Sequence, residues 1–385
     1  MPAQISHCLA AELALQKADP ALAEAWGMGG ILLAPLTRPA RAAGEVDLAS
    51  YFRFGAQGPD IFYHNQRTKP SGIHYGPLAH KRNYGLFVEA ALQRLIETGL
   101  PPEGPEGAWI LGYSTHAALD RALHPFIVHF SGWQAPSQPE SARYRSCHPF
   151  LERILDMLAL ERLAHRKVSD CDLEALLPLD DQLLDAGVGG SGSLAAVESN
   201  IAAIIQKGLG GAFPHAASAD FLIGHRIANA ISDSRFFFRA TNPSRTSTDN
   251  SSFLAHFDDR SGYRAVALLY PRQTGTGIDF GNEAGALWAH PAGDGRESKE
   301  SAATLFDRGV EAGAASLRLT LEALRSGRIP PGFATAIGNG GLSVNDAEGF
   351  PVPPRVSRPL PLADVMEAEF ARRLEEAKGL VTGRS

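Results

Sequence analysis

The stretch GYSTHAALDRALHPFIVHF, residues 112–130, decides how this chain is read. His116, Asp120 and His124 recur at i, i+4 and i+8, which stacks them on one stripe of a helix. Leu119, Leu123, Phe126 and Ile127 lie around that stripe, so the helix is apolar enough to be buried. The pattern predicts a helix over 108–124 that Pro125 limits, because the residue before a proline avoids the α region. Three polar groups on a buried helix need partners, since burying them unpaired is costly. A metal ion would satisfy both charge and lone pairs. The plainer alternative is a His–Asp hydrogen bond in the core, with His124 as a C-terminal cap. For this stripe alone the plainer reading is favoured.

A second stripe changes the weighing. In CHPFLERILD, residues 147–156, His148, Glu152 and Asp156 again fall at i, i+4 and i+8, on the next long apolar helix. An imidazole and a carboxylate one turn apart can chelate a single ion, as inward-facing ligands of metal-binding bundles do. Two such stripes on consecutive helices favour a metal site. Asp60, in GPDIFYH, and His74, in SGIHYGP, sit in loops beside Phe62, Tyr63 and Tyr75. Taken singly, each reads as a turn residue. His7 falls one residue into the first helix and reads, taken alone, as a surface imidazole. His64, His80, His129 and His165 are near these residues in sequence but off the stripes, so surface or supporting roles are expected for them.

Around these motifs the chain reads as helices joined by irregular segments. Helices are predicted over 6–26, 80–99, from 148 through LERLAH, 169–186, 195–208, 216–232, 299–326 and 362–378. Residues 27–58 read as a long Gly-, Pro- and Ala-rich loop and 329–359 as irregular. The polar run 234–262 reads as an insertion or lid, with Arg235, Arg239 or Arg245 beside the metal site. The expected fold class is all-α, with one helical metal-binding domain over 1–330 and an irregular segment plus terminal helix over 331–385. Most of the candidate ligands fall within 1–160.

Composition narrows the function. The 385 residues carry 36 basic and 42 acidic side chains, a net charge of −6, which does not support broad nucleic-acid coating. A local basic pocket for a phosphate remains compatible with it. Cys8, Cys147 and Cys171, an odd number, match no zinc-knuckle spacing and argue against a disulfide scaffold. With no visible export or membrane signal, a cytoplasmic setting without a transmembrane segment is expected. GVGGSG, residues 187–192, fits GxGxxG only literally, because it follows an acidic helical stretch rather than a strand. No Walker-type loop, GxSxG elbow or His-Asp dipeptide occurs.

The order SHCLA, GPDIF, IHYGP, HAALD running on to HP, and HPFLE then ILD resembles the zinc-dependent phospholipase C family, which is similar in fold to the P1-type zinc nucleases. The resemblance is dense over residues 6–156 and looser beyond, where DFGNEAGALWAHP precedes a long helix. It implies helices surrounding a cluster of two zinc ions, with a third implied through His7; Mn²⁺ or Fe²⁺ are lesser alternatives. By position it implies that Asp60, His74, His116 and Asp120 hold one ion. His124, His148 and Glu152 would hold a second, and His7 with bridging Asp120 would contribute to a third. The chemistry implied is metal-assisted hydrolysis of a small-molecule or lipid phosphoester, with Asp60 as ligand or general base and Arg121, Lys81 and Arg82 as candidate phosphate-binding cations. Two rivals stand beside it: a non-catalytic helical protein stabilised by its metals, and a nuclease of the same fold.

Overall fold

The computed structural model describes residues 4–30, 32–33, 46–135, 137–178, 193–243, 266–274 and 277–382. The described residues are mostly helical, as the periodicity predicts. The organising element is α7, Pro105–Ser131, buried on almost every side. It does not stop at Pro125. Leu119, Leu123, Phe126, Ile127 and Phe130 are all buried along it, and packing on both sides of the proline outweighs the ~3 kcal/mol that a proline costs inside a helix.

α3, Leu48–Ala56, crosses α7 at the closest range backbones allow. A Cβ at Gly55 would collide with the Trp109 carbonyl, and one at Gly112 with the Phe52 carbonyl. This helix falls in the stretch read as loop. Its pattern of Ala49, Phe52 and Ala56 was hidden by the Gly- and Pro-rich residues on either side, and all three are buried. α12, Ala302–Ser326, packs along α7, with Gly309 against Leu119.

The first predicted helix divides at Asp19, whose Oδ1 accepts from Leu22 N at 3.0 Å and caps a new helix begun by Pro20. The parts are α1, Gln4–Ala18, and α2, Pro20–Ala25. The predicted helix 80–99 also divides, because Arg82 is extended and Asn83 is left-handed (φ +64°). After the short α4, Ile61–His64, this gives α5, Tyr75–Lys81, and α6, Tyr84–Thr98, with Gly99 (φ +66°) as the expected C-cap. α8, Cys147–Ala164, follows as expected.

The helix predicted over 169–186 is not found: its described part forms 3₁₀ turns at Val168–Asp170 and Leu173–Leu176, and 179–192 lie outside the described residues. α9, Ser193–Ala212, is succeeded by α10, Pro214–Ala219, and α11, Ile223–Ala240. α11 therefore takes up the start of the supposed lid, and 244–262 lie outside the described residues. A two-residue antiparallel pair, β1 Trp288–Ala289 with β2 Glu297–Ser298, and the helices α13, Phe333–Ile337, and α14, Leu362–Thr382, complete the chain. Residues beyond 330 pack on the helical body, with Arg358 N and Leu360 N donating to the carbonyls of His129 and Phe130 at 3.1 and 2.8 Å.

The α3–α7 contact yields a stability prediction. Gly112→Ala forces backbones apart and is expected to cost on the order of 3 kcal/mol in urea denaturation, the upper range for overpacking. Gly210→Ala, on α9 with no neighbour to meet a Cβ, should instead stabilise the protein by about 0.5–1 kcal/mol.

Candidate metal centre

Four helices and one turn bring the polar stripes together. Asp60 closes the 3₁₀ turn Gly58–Asp60. Gly58 is left-handed (φ +56°), and a Cβ there would strike the His116 ring, so the turn presses directly on the ligand stripe. α1 is held in place from α8, where Asp156 accepts from Ser6 N at 2.7 Å and Ile5 N at 3.1 Å. That carboxylate, one turn from Glu152 on α8, caps the start of α1 next to His7. Asp156 is therefore a support and not a member of the cluster.

The resulting cluster is tight and buried. Asp120 is central: its oxygens lie 3.2 Å from His7 Nε2, 3.1 Å from His116 Nε2, 3.6 Å from His80 Nε2 and 3.7 Å from His124 Nε2. Asp60 lies 3.0 Å from His80 Nε2 and 3.7 Å from His116 Nε2. Glu152 Oε1 lies 3.0 Å from His148 Nε2 and 3.5 Å from His124 Nε2. Among the described residues, three sets of possible ligands converge: His7, Asp60 and His116; His80, His116 and Asp120; and His124, His148 and Glu152.

The proton positions follow from chemistry. Nδ1 of His80, His116 and His124 faces the carbonyls of Gly76, Ala56 and Leu342 at 2.7, 3.1 and 2.8 Å. A carbonyl only accepts, so each Nδ1 carries a hydrogen, and a ring without a second proton turns an Nε2 lone pair inward. Those lone pairs confront carboxylate oxygens, which also only accept. His116 Nε2, Asp60 Oδ2, Asp120 Oδ2 and Glu152 Oε2 are buried without a hydrogen-bond partner. Only a cation between them resolves this, whether a proton or a metal ion. A donor set of imidazoles and carboxylates could hold a divalent metal ion.

Of the residues singled out in the sequence, His7, Asp60, His116, Asp120, His124, His148 and Glu152 are brought together. His74 is not: it is exposed, just before α5, with its ring against Tyr75. His80 stands in its place, contrary to the supporting role expected of it. Six residues amount to one and two-thirds helical turns, so His74 and His80 cannot share a face. The signal was available, because Tyr75 and Ala79 mark the inward side of α5 and His80 adjoins it.

Arg121 is not a phosphate ligand either. Its guanidinium donates to the carbonyls of Ile337 and Gly338 at 2.9 Å each, pinning the segment that carries Leu342. Arg235 pairs with Glu198 and Arg239 with Glu174, so neither reaches the cluster, and Arg245 lies outside the described residues. Lys81 and Arg82 are both exposed. Lys81 and Arg145 line a cleft of about 410 Å³ whose floor includes His80 and His148. Trp133, Tyr144 and Tyr63 also line it, and among the described residues no carboxylate does. Among the remaining histidines, His64 is buried against Ser234 Oγ at 3.1 Å, His129 is buried beside Trp288, and His165 is the exposed, left-handed cap of α8.

Comparison of the chain with protein-family profiles, with characterised proteins and with solved structures returns no match.

The electrostatics give a pH prediction. Burial would raise the Asp120 carboxyl, but the adjacent His116 and His124 imidazoles, with His7 beside it, hold it well below the usual carboxylate range. Burial would lower His124, but Asp120 and Glu152 push it up to about 9 from its ordinary 6.5. Asp120 therefore contributes stability above the ordinary carboxylate pKa and loses it on acidification. His124 contributes fully below pH 6.5 and loses its share as pH rises toward about 9. The melting temperature of chelator-treated protein should fall across that alkaline window. Saturating Zn²⁺ should abolish the alkaline fall, because the metal takes over from the proton.

Proposed function

We propose that this chain is a metal-dependent phosphoesterase that hydrolyses a phosphodiester with a metal-activated water. The observation that carries the reading is the confrontation of acceptor-only atoms at Asp60, Asp120, Glu152 and the inward imidazole nitrogens. The motif order that resembles the zinc-dependent phospholipase C family supports it, and so does a cleft above the cluster with cations and no carboxylate. Bound divalent ions would supply a low-pKa water and charge neutralisation for a phosphoryl group. Zn²⁺ is the ion proposed, with Mn²⁺ or Fe²⁺ less well matched to the imidazole-rich set.

The chain's own residues define the remaining roles. His7, His80, His116, Asp60 and Asp120 would hold one group of ions and His124, His148 and Glu152 another. Both oxygens of Asp60 face imidazoles, which favours a ligand role over that of a free general base. Lys81 and Arg145 would hold the anionic substrate at the mouth. Trp133 and Tyr144 give specific support to a second reading, a nuclease or nucleotide hydrolase, because flat aromatic walls favour stacking of a base.

Elemental analysis and turnover of bis-p-nitrophenyl phosphate test the proposal. The intact protein should hold two or three equivalents of zinc per chain and turn over the diester. Asp120→Ala and His80→Ala should each lose metal and reduce turnover by 100-fold or more, on the scale of lost metal ligands (roughly 10–100-fold for supporting residues alone). His74→Ala should change neither. Absence of stoichiometric metal overturns the proposal. Full metal content without turnover of diesters would leave the non-catalytic rival standing.

A further inference from the structure

Four of the large apolar side chains that face solvent lie on α11 or on the segments that lead into it and run along it. Phe221 is 96% exposed, Leu222 46%, Ile73 41% and Phe236 40%. Phe221 and Leu222 lead into α11, whose solvent side continues through Gly224, His225 and Ala228 to Phe236. The loop 65–74 is fastened along the same helix. Tyr75 Oη donates to Asp220 Oδ2 at 2.8 Å, Arg226 donates to the Ser71 carbonyl and Asn229 Nδ2 to the Pro70 carbonyl at 3.0 Å. At the far end Arg67 N and Thr68 N both donate to Asp233 Oδ2 at 2.9 Å, and the Arg67 guanidinium lies 4.7 Å from the Phe236 ring centre. Ile73 and Lys69 are thereby held beside the helix on a braced scaffold.

The charge of this surface is one-sided. From Ile61 to Val88 the sequence holds no aspartate or glutamate, although the whole chain is acidic at −6. Of the four exposed cations in that stretch, Arg67 and Lys69 lie on the loop fastened to α11, whereas Lys81 lines the cleft. Between Lys207 and Ile231 the single carboxylate is Asp220, which is engaged by Tyr75 and Arg226. A helix with an apolar and histidine-bearing solvent side, rimmed by lysine and arginine, has the make-up of an element that lies in a lipid–water interface.

We infer that α11, with the Phe221–Leu222 tip and the loop 65–74, docks this protein on an anionic phospholipid surface. A second copy of the chain is the poorer occupant, because a two-fold contact pairs this face with itself and would bring together two surfaces that both carry Arg67 and Lys69. Geometry connects the surface with the cleft. α11 packs on α4 through His64 and Ser234, and α4 carries Tyr63 of the cleft wall, while Lys81 of the carboxylate-free stretch lines its mouth. The inference goes beyond the metal reading and does not depend on it.

Co-sedimentation of the full chain with vesicles is the test, using equal parts phosphatidylcholine and phosphatidylserine against phosphatidylcholine alone, with and without chelator. Binding is expected to the anionic vesicles at low salt and to weaken as salt is raised. The double variant F221S/L222S should bind roughly tenfold or more weakly, from the lost burial of two apolar side chains. Lys69→Glu should also weaken binding, with the helical circular dichroism of both variants unchanged. Chelated protein should bind as the untreated protein does, which separates this result from the fate of the metal proposal. Failure of the intact protein to sediment with anionic vesicles at low salt overturns the inference. So does binding that the substitutions leave unaltered, or a concentration-dependent dimer that F221S/L222S abolishes.

Discussion

Acceptor-only atoms facing one another inside a protein are the constraint around which this structure is arranged. Imidazole nitrogens and carboxylate oxygens are held 3.0–3.7 Å apart, so the arrangement needs both a cation and a rigid frame. The frame is correspondingly over-determined. α7 crosses α3 at backbone contact, α1 is capped from α8 by Asp156, and the buried Arg53–Glu12 pair, at 2.5 Å, joins α1 to α3. Leu342 completes it from far along the chain: its N–H donates to the His80 carbonyl at 2.8 Å while its own carbonyl receives the His124 Nδ1 hydrogen. One residue thus ties a ligand of each group to the other.

How far the sequence disclosed this depends on the range of the interactions. The stripes His116–Asp120–His124 and His148–Glu152 are local, fixed by the helical repeat, and both could be read directly. So could the all-α class, because most helices carry their own periodicity. Where tertiary contacts decide, the local reading went astray. Pro125 should end a helix, yet α7 continues because both sides of the proline are buried. α3 is short and lies among Gly and Pro residues, and the close crossing that explains Gly55 and Gly112 involves residues far apart in sequence.

His80 and Arg121 show the same limit at the site. The pattern IHYGP drew attention to His74, but a break at Arg82 and Asn83 rotates α5 separately from α6 and turns His80 inward. Arg121 adjoins Asp120 in sequence and for that reason looked like a phosphate ligand. Its side chain leaves the stripe, since neighbouring helical residues are about 100° apart, and it serves carbonyls more than 200 positions away. No local pattern encodes such a partner.

The distribution of acids ties the centre to its surroundings. Asp60, Asp120, Glu152 and Asp156 are all buried inside, whereas the stretch Ile61–Val88 and, among the described residues, the cleft lining hold no carboxylate. Without cations, the three carboxylates of the cluster would repel an approaching phosphate. Two divalent ions would leave it with one positive charge, and a third would raise that further. The same occupancy that relieves the buried acceptors would therefore reverse the sign of the cleft floor, and Lys81 and Arg145 at the mouth would then act with that field instead of against it. Concentrating acids inside and removing them from the approach to the cleft makes sense of a net-negative chain whose proposed substrate is an anion.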